Sequence, residues 1–122
     1  NMEEERRRAS VVITGANSGL GYACAKSLMR GDWGDSIQWH VVMACRDETR
    51  AKEAIKKIQS EEKSKLKGTA EYFHCDLASL ASVRDFASNL VKALKDQSIP
   101  PLKALVLNAG LLLVDIHYTE DG

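Results

Sequence analysis

Short apolar runs and amphipathic helical periods alternate strictly along this chain, and the alternation restricts the fold more than any other feature. Residues 9–14, 40–44, 72–75 and 104–107 are short apolar runs with the profile of buried parallel strands. Strands that alternate with helices of this length need crossover connections, which are right-handed and cover both faces of a parallel sheet. The sequence therefore predicts an α/β fold, a doubly wound parallel sheet in three layers with strand order 3-2-1-4.

Three helical periods separate the predicted strands. Their apolar faces are formed by Leu20, Ala23, Cys24 and Leu28, then by Ala51, Ala54, Ile55 and Ile58, and last by Val83, Phe86, Ala87, Leu90, Val91 and Leu94. The segment 31–38, before the second strand, is longer than a usual loop between a helix and a strand. We interpret it as a surface insertion in which Trp33 or Trp39 packs against the sheet edge, the alternative being a partner-binding loop.

Composition and charge exclude several classes of protein. Apolar residues make up 44% and charged residues 28% of the 122 residues, as in ordinary globular proteins. Basic and acidic residues both number 17, so no field of one sign indicates nucleic acid or an anionic membrane as the main partner. Residues 1–8, in which EEE precedes RRR, are interpreted as a solvated charged tail.

The cysteines and the apolar runs bear on location. Cys24, Cys45 and Cys75 are odd in number and lack CxxC spacing, which argues against a disulfide framework or a metal site. This usage favours an intracellular, reducing compartment. No apolar run approaches the ~20 residues of a membrane span, so we expect no transmembrane segment and no signal peptide in this chain.

A glycine-rich turn, TGANSGLG at residues 14–21, follows the first strand, and a helix begins inside it. The N-terminus of a helix offers unpaired backbone N–H groups and a positive dipole end to a diphosphate. Gly15 permits the tight turn, Gly19 lets the backbone approach the diphosphate, and Gly21 allows close contact of helix and strand. Asn17 and Ser18 can add hydrogen bonds to phosphate or ribose. The turn therefore predicts a dinucleotide site.

The spacing GxxxGxG after a threonine resembles the cofactor motif of the short-chain dehydrogenases/reductases. Asp76-Leu77 follows the third strand, Asn108-Ala109-Gly110 closes the fourth, and residues 119–122 (TEDG) resemble the family's T-x-DG. Four such motifs in the right order are more specific than any one of them. The resemblance implies a Rossmann-type fold, of which residues 9–122 would be a truncated, N-terminal part of the dinucleotide-binding domain.

The resemblance also implies roles for single residues. Asp76 would accept a hydrogen bond from the adenine amino group, and the Leu77 amide would reach a ring nitrogen. Ala109 and Gly110 would let the cofactor ribose pass close to the backbone, and Asn108 would tie the fourth strand to its neighbours. The predicted cofactor-binding residues are Thr14, Gly15, Asn17, Ser18, Gly19, Leu20, Gly21, Arg46, Asp76, Leu77, Asn108, Ala109 and Gly110.

The end of the second strand indicates which nicotinamide cofactor is bound. An acidic residue at this place holds the 2′-hydroxyl of NAD, whereas an arginine accommodates the 2′-phosphate of NADP. Cys45 stands where the NAD-specific members place their acid, and Arg46 follows, so we expect NADP(H). In the alternative, Arg46 is a surface residue paired with Asp47 or Glu48, and Asp47 is the ribose acid. Asp47 also suits the N-cap of the second helix.

The family's catalytic residues are a Ser, a Tyr, a Lys four residues after the Tyr, and an Asn on the fourth helix. They would lie beyond the NAG strand, so we expect none in this chain and expect the chain alone to be inactive. Tyr22 and Lys26 match the YxxxK spacing but lie on the first helix, and we interpret them as a coincidence. His40 and His74 share no ligand spacing and are interpreted as structural, with no metal site.

The predicted function is that of an NADP-dependent oxidoreductase in the parent protein. Hydride would pass between NADP(H) and a carbonyl, alcohol or conjugated double bond of a small apolar substrate. The alternative is a catalytically silent NADP-binding or sensing module. The motifs resemble the retinol dehydrogenase, protochlorophyllide reductase and 3-ketosteroid reductase branches without separating them. We expect the fourth strand to leave an unpaired apolar edge, which a homo-oligomer, a partner or a remaining segment of the protein would cover.

Overall fold

The computed structural model describes residues 7–16, 19–34 and 36–108. In chain order the elements are β1 (Arg8–Thr14), α1 (Gly19–Arg30), β2 (Gln38–Cys45), α2 (Glu48–Glu61), β3 (Thr69–His74), α3 (Leu80–Lys95) and β4 (Leu102–Val106). The four strands form a parallel sheet in the order β3-β2-β1-β4. The predicted α/β class and strand order are therefore confirmed.

The two central strands, β1 and β2, are buried on both faces because helices cover both sides of the sheet. On one face Ile13 and Met43 pack against the apolar sides of α1 and α2. On the other, Val12 and Val42 pack against residues of α3 and the loop that follows it. Burying an aliphatic side chain of this size contributes about 1.5–3 kcal/mol, so these continuous apolar runs hold the layers together.

β3 begins earlier than the sequence predicts, at Thr69 instead of residue 72. Its first half alternates polar and apolar residues, because it is an edge strand of the described sheet. Cross-strand hydrogen bonds hold this half in place: the ring nitrogens of buried His40 lie 2.6 Å from Thr69 Oγ1 and 3.0 Å from Glu71 Oε1. The structural interpretation of His40 is confirmed.

The other strand boundaries differ by one or two residues at either end. β1 includes Arg8, which the sequence places in the tail, and β4 ends at Val106, one residue short of Leu107. β2 begins at Gln38 and contains Trp39, which is 7% exposed and packs in the core, whereas Trp33 is 59% exposed. Of the two tryptophans considered for packing at the insertion, Trp39 is the buried one.

The starts of α2 and α3 are capped as physical chemistry requires for free helix N–H groups. The Asp47 side chain accepts a hydrogen bond from Arg50 N at 3.0 Å, and the Ser79 side chain accepts one from Ser82 N at 3.2 Å. The predicted N-cap role of Asp47 is thus confirmed. Within the described ranges, no helix has the length and apolarity needed to cross a membrane.

Candidate cofactor site

The candidate site lies where the carboxyl ends of β1, β2 and β4 meet. Gly15 N donates a hydrogen bond to Ala44 O at 3.1 Å, which ties the end of β1 to the end of β2. β1 is also the point from which the strand order runs outward in both directions, to β2 on one side and β4 on the other. In open α/β sheets ligands bind in the crevice at such a switch point. The predicted turn therefore lies where a dinucleotide would be expected.

A buried threonine joins the end of β1 to the end of β4. Thr14 is 4% exposed, and its hydroxyl accepts a hydrogen bond from Asn108 N at 2.9 Å and donates one to Val106 O at 3.5 Å. The Asn108 side chain donates from Nδ2 to Gly15 O at 3.4 Å. Asn108 thus ties the end of its strand to the glycine-rich turn, as the sequence predicts.

The glycines of the turn serve different purposes. Gly15 and Gly19 have φ angles of 64° and 60°, a left-handed conformation that costs other residues about 1–2 kcal/mol. A Cβ atom on Gly19 would meet nothing within 4 Å among the described residues. A Cβ on Gly21 would lie 2.6 Å from Gly15 O and against the side chain of Asn108. Gly21 therefore permits the close contact of helix and turn that the sequence predicts.

The first turn of α1, which contains Leu20, carries no acidic side chain. The positive end of its dipole and its free N–H groups are consequently not opposed by a carboxylate in that turn. Leu20 itself is 78% exposed. This arrangement fits the binding of an anion such as a diphosphate.

Arg46, directly after β2, is exposed at the same edge of the sheet. Its acidic neighbours are engaged by other cations: Asp47 lies 3.7 Å from Arg50 Nε, and Glu48 lies 3.4 Å from Lys52 Nζ. Among the described residues Arg46 therefore forms no ion pair, contrary to the alternative in which it pairs with Asp47 or Glu48. Its guanidinium is available to a ligand.

The segment after β3 is held by a serine that sequence reasoning missed. Ser82 Oγ accepts a hydrogen bond from Asp76 N at 2.8 Å, which fixes the backbone at Asp76. Asp76 Oδ1 accepts one from Ala78 N at 3.0 Å, and among the described residues its other carboxylate oxygen has no partner. Leu77 is 47% exposed. The sequence does contain a signal for this contact: Ser82 lies three residues after Ser79, a residue type that commonly caps a helix.

Four predicted site residues, Asn17, Ser18, Ala109 and Gly110, lie outside the described residues, as does the TEDG motif. The remaining nine lie at or beside the carboxyl ends of the four strands: Thr14, Gly15, Gly19, Leu20, Gly21, Arg46, Asp76, Leu77 and Asn108. The fold thus brings segments that are up to 94 residues apart in sequence to one edge of the sheet.

Comparison with known families agrees with this geometry. Residues 9–121 match the family described as short chain dehydrogenase. This chain belongs to the short-chain dehydrogenase family. The members of this family are oxidoreductases.

Two further comparisons place the chain within the short-chain dehydrogenases. It is 45% identical over 107 residues to the chloroplastic protochlorophyllide reductase of Cucumis sativus. The aligned region covers 88% of this chain and 23% of that protein. The solved structure of menthone neomenthol reductase from Mentha piperita superposes with a TM-score of 0.67 and 30% identity, covering 85% of this chain and 32% of that one. This chain thus spans about a quarter to a third of the relatives it matches.

A third comparison concerns the cofactor. A short-chain dehydrogenase from Sphingobium yanoikuyae in complex with NADPH superposes with a TM-score of 0.59 and 25% identity. The match covers 84% of this chain and 34% of that one.

In this chain, the residues that match the YxxxK spacing lie away from the candidate site. Lys26 Nζ lies 3.4 Å from carboxylate oxygens of Glu61 and Glu62, at the far end of α2. Lys57 Nζ lies 5.5 Å from the centroid of the Tyr22 ring. Both residues therefore contribute to the contact between α1 and α2, in agreement with the interpretation of the spacing as a coincidence.

Two titratable side chains near the end of β3 have raised pKa values. Burial raises the pKa of the Cys75 thiol, and burial together with the nearby Glu48 raises the pKa of Tyr72. The Tyr72 hydroxyl lies 2.9 Å from Nδ1 of exposed His74. Among the described residues no cluster of His, Cys, Asp or Glu could hold a metal ion.

Proposed function

We propose that this chain is the NADP(H)-binding part of a short-chain oxidoreductase. The observation that carries the proposal is the exposed guanidinium of Arg46 at the edge that holds the glycine-rich turn: it has no ion pair among the described residues, and Asp47 and Glu48 are engaged by Arg50 and Lys52. An exposed arginine at this place suits the 2′-phosphate of NADP, because a guanidinium binds a phosphate through two parallel hydrogen bonds. The similarity to a family member in complex with NADPH supports the same choice.

Two other parts of the site, the start of α1 and Asp76, bind different parts of the cofactor. The N–H groups at the start of α1 bind the diphosphate, and open space at Gly19 lets it approach the backbone. The free carboxylate oxygen of Asp76 accepts a hydrogen bond from the adenine amino group. Thr14, Asn108 and Gly21 do not need to touch the cofactor, because their part is to hold the turn in place.

When bound, NADP(H) supplies or accepts a hydride at its nicotinamide ring. We propose that in the whole protein the hydride passes between this ring and a carbonyl, alcohol or conjugated double bond of an apolar substrate. The names of the relatives, a protochlorophyllide reductase and a menthone neomenthol reductase, support reduction of an apolar molecule. They differ in substrate while sharing this part of the fold, so the substrate class is set elsewhere.

Titration of the chain with NADPH and with NADH, followed calorimetrically, tests the cofactor assignment. The unmodified chain should bind NADPH more tightly. Arg46→Glu should weaken NADPH binding by about tenfold to a hundredfold, because about 1.5–3 kcal/mol of charged hydrogen bonding is lost. NADH binding should be unchanged or stronger.

Arg84→Glu is the matched control, since it reverses the same charge in an exposed arginine of α3 that engages neither Asp47 nor Glu48. It should leave the ratio of the two affinities unchanged. Equal discrimination in the unmodified chain and in the Arg46→Glu variant would refute the assignment. Hydride transfer by the whole protein, measured as NADPH consumption, separates the enzyme from a silent NADP-binding module.

Association through β4 is a further part of the proposal. Leu102 and Leu105 of β4 are 43% and 58% exposed at this edge of the described sheet, and Leu107, directly after the strand, is 76% exposed. Exposed leucines on an edge strand favour pairing with another chain, which supports a homo-oligomer. Sedimentation velocity over a range of concentrations tests this, and Leu105→Lys should shift the distribution toward the monomer.

A further inference from the structure

A lysine-rich segment lies at the end of the sheet opposite the candidate cofactor site. Residues 56–69 contain five lysines and two glutamates. Both glutamates are paired with cations of α1: Lys26 Nζ lies 3.4 Å from Glu61 and from Glu62, and Arg30 Nη1 lies 3.6 Å from Glu62. The negative charges of the segment are thus neutralised by the neighbouring helix and not by the segment's own lysines.

Four of the five lysines are left without an acidic partner among the described residues, and all four are exposed. They are Lys56, Lys63, Lys65 and Lys67. The fifth, Lys57, lies over the Tyr22 ring instead. Two acids of neighbouring elements have other partners, since Asp32 lies 3.3 Å from Arg30 Nε and Glu71 lies 3.0 Å from His40 Nε2; Asp35 lies outside the described residues.

An exposed tryptophan adjoins these lysines. The backbone amides of Lys67 and Gly68 both donate to Met29 O at 2.9 Å, which fixes the segment against the end of α1. A Cβ on Gly31 would lie 3.0 Å from Lys67 Cδ, so the lysine stem covers the turn that carries Trp33. The indole of Trp33 donates from Nε1 to Ser27 Oγ at 3.1 Å, while the residue is 59% exposed.

The lysines extend this surface along α2. Lys56 and Lys63 line a shallow depression that also contains half-buried Leu66. We call Trp33, Lys56, Lys63, Lys65 and Lys67 the lysine–tryptophan surface. It combines four lysines that have no acidic partner among the described residues with an indole ring whose Nε1 donates to Ser27 Oγ.

We propose that the lysine–tryptophan surface binds the surface of an anionic lipid bilayer. Each lysine near such a surface contributes about a fivefold gain in affinity, and an indole ring is favoured at the boundary of headgroups and acyl chains. The surface lies at the amino ends of the strands, so a bound bilayer leaves the glycine-rich turn accessible. The zero net charge of the whole chain does not predict this partner. Lys26 and Arg30 of α1 pair with Glu61 and Glu62, and the lysines of the segment therefore form a local excess of positive charge.

A basic surface with an aromatic residue also resembles a binding site for single-stranded nucleic acid. Such sites present several aromatic rings on which successive bases stack. The lysine–tryptophan surface has one ring, and Leu66, in the adjoining depression, is aliphatic and half-buried. A lipid surface therefore fits better, and nucleic acid binding is an outcome that the test must distinguish.

Cosedimentation of the intact chain with vesicles tests the proposal. Vesicles of phosphatidylcholine alone should bind little, and vesicles that also contain phosphatidylserine should bind in a salt-sensitive manner. The triple variant Lys63→Gln, Lys65→Gln, Lys67→Gln should bind about a hundredfold more weakly. Trp33→Ser should lose several-fold. The control Lys92→Gln, Lys95→Gln, Lys103→Gln removes equal charge elsewhere and should bind normally.

Trp33 fluorescence gives a second measurement on the unmodified chain, because Trp39 is buried. Anionic vesicles should shift the emission to the blue and protect Trp33 from acrylamide, and neutral vesicles should do neither. The proposal is overturned if anionic vesicles do not bind, or if the control triple variant loses as much affinity as the test variant. Binding of a single-stranded oligonucleotide through the same lysines, with no vesicle binding, would also overturn it.

Discussion

The side-chain nitrogen of Asn108 lies in close contact with the position that a Cβ atom on Gly21 would occupy, and donates a hydrogen bond to Gly15 O at 3.4 Å. Three segments thus share one small volume: the turn after β1, the first turn of α1 and the residue that follows β4. The absence of a side chain at Gly21 lets α1 begin close enough to the sheet for its free N–H groups to face the candidate site.

Gly21→Ala should destabilise the fold and weaken NADPH binding together. The new methyl group would meet Gly15 O, a backbone atom that cannot rotate away, so α1 or the turn must shift. Overpacking of this kind costs about 1–3 kcal/mol. Urea unfolding and NADPH titration of the same preparation measure the two effects.

Gly19→Ala is the control for this substitution, because the added methyl group would meet nothing within 4 Å. It should cost only the strain of a left-handed residue, about 1–2 kcal/mol. An unchanged unfolding free energy in Gly21→Ala would show that the contact with Asn108 does not restrict the position of α1.

Thr14→Val should destabilise the junction of β1 and β4 without changing side-chain volume. It removes the acceptor for Asn108 N, which then lies part-buried without this partner. Leaving such a donor unpaired costs about 1–3 kcal/mol. Thr14→Ser keeps the hydroxyl and should lose much less stability in chemical unfolding, so equal losses in the two variants would contradict the role of the hydroxyl.

Asp47→Ala should lower stability but not change the preference for NADPH over NADH. The Asp47 side chain caps α2 by accepting from Arg50 N at 3.0 Å, and loss of such a cap costs about 1 kcal/mol. Asp47→Asn keeps the acceptor and should retain most of the stability. A marked change in cofactor preference in either variant would instead support Asp47 as the ribose acid.

Stability should fall as the pH rises through the alkaline range. Burial raises the pKa of the Cys75 and Cys24 thiols above their ordinary value of 9.0, and burial with the nearby Glu48 raises that of Tyr72. Because the folded chain holds these protons more tightly than the unfolded chain, their stabilisation is complete below the ordinary pKa values. It is lost as the pH rises toward the folded ones.

Urea unfolding at a series of pH values should therefore give a constant unfolding free energy, as far as these groups contribute, up to about pH 9 and a decrease above it. The double variant Cys24→Ala, Cys75→Ala should show a smaller decrease between pH 9 and 10. A rise in stability above pH 9 would contradict the sign of these shifts.

The order of the elements and the identity of the central strands could be predicted because they depend on local patterns. Ile13 and Met43 lie in continuous apolar runs, which are buried on both faces wherever a parallel sheet is covered by helices. The N-cap at Asp47 was predictable for the same reason, since a cap depends on a residue's own position before a helix. The edge strand β3 was less predictable, because Thr69 and Glu71 are held by His40, a contact across strands.

The sequence by itself determined the glycine-rich turn, the arginine after β2 and the family, because spacing and residue type express the local demands of a bound dinucleotide. Only the tertiary structure decided that Arg46 has no ion pair among the described residues and that Ser82 holds Asp76, because these depend on which partners each side chain reaches. The role of Lys26 was likewise decided by the tertiary structure. Its YxxxK spacing resembles a catalytic pair, whereas in the fold its ammonium group lies against the carboxylates of Glu61 and Glu62. The net charge is read directly from the sequence. Which charges form ion pairs depends on the elements that folding brings together.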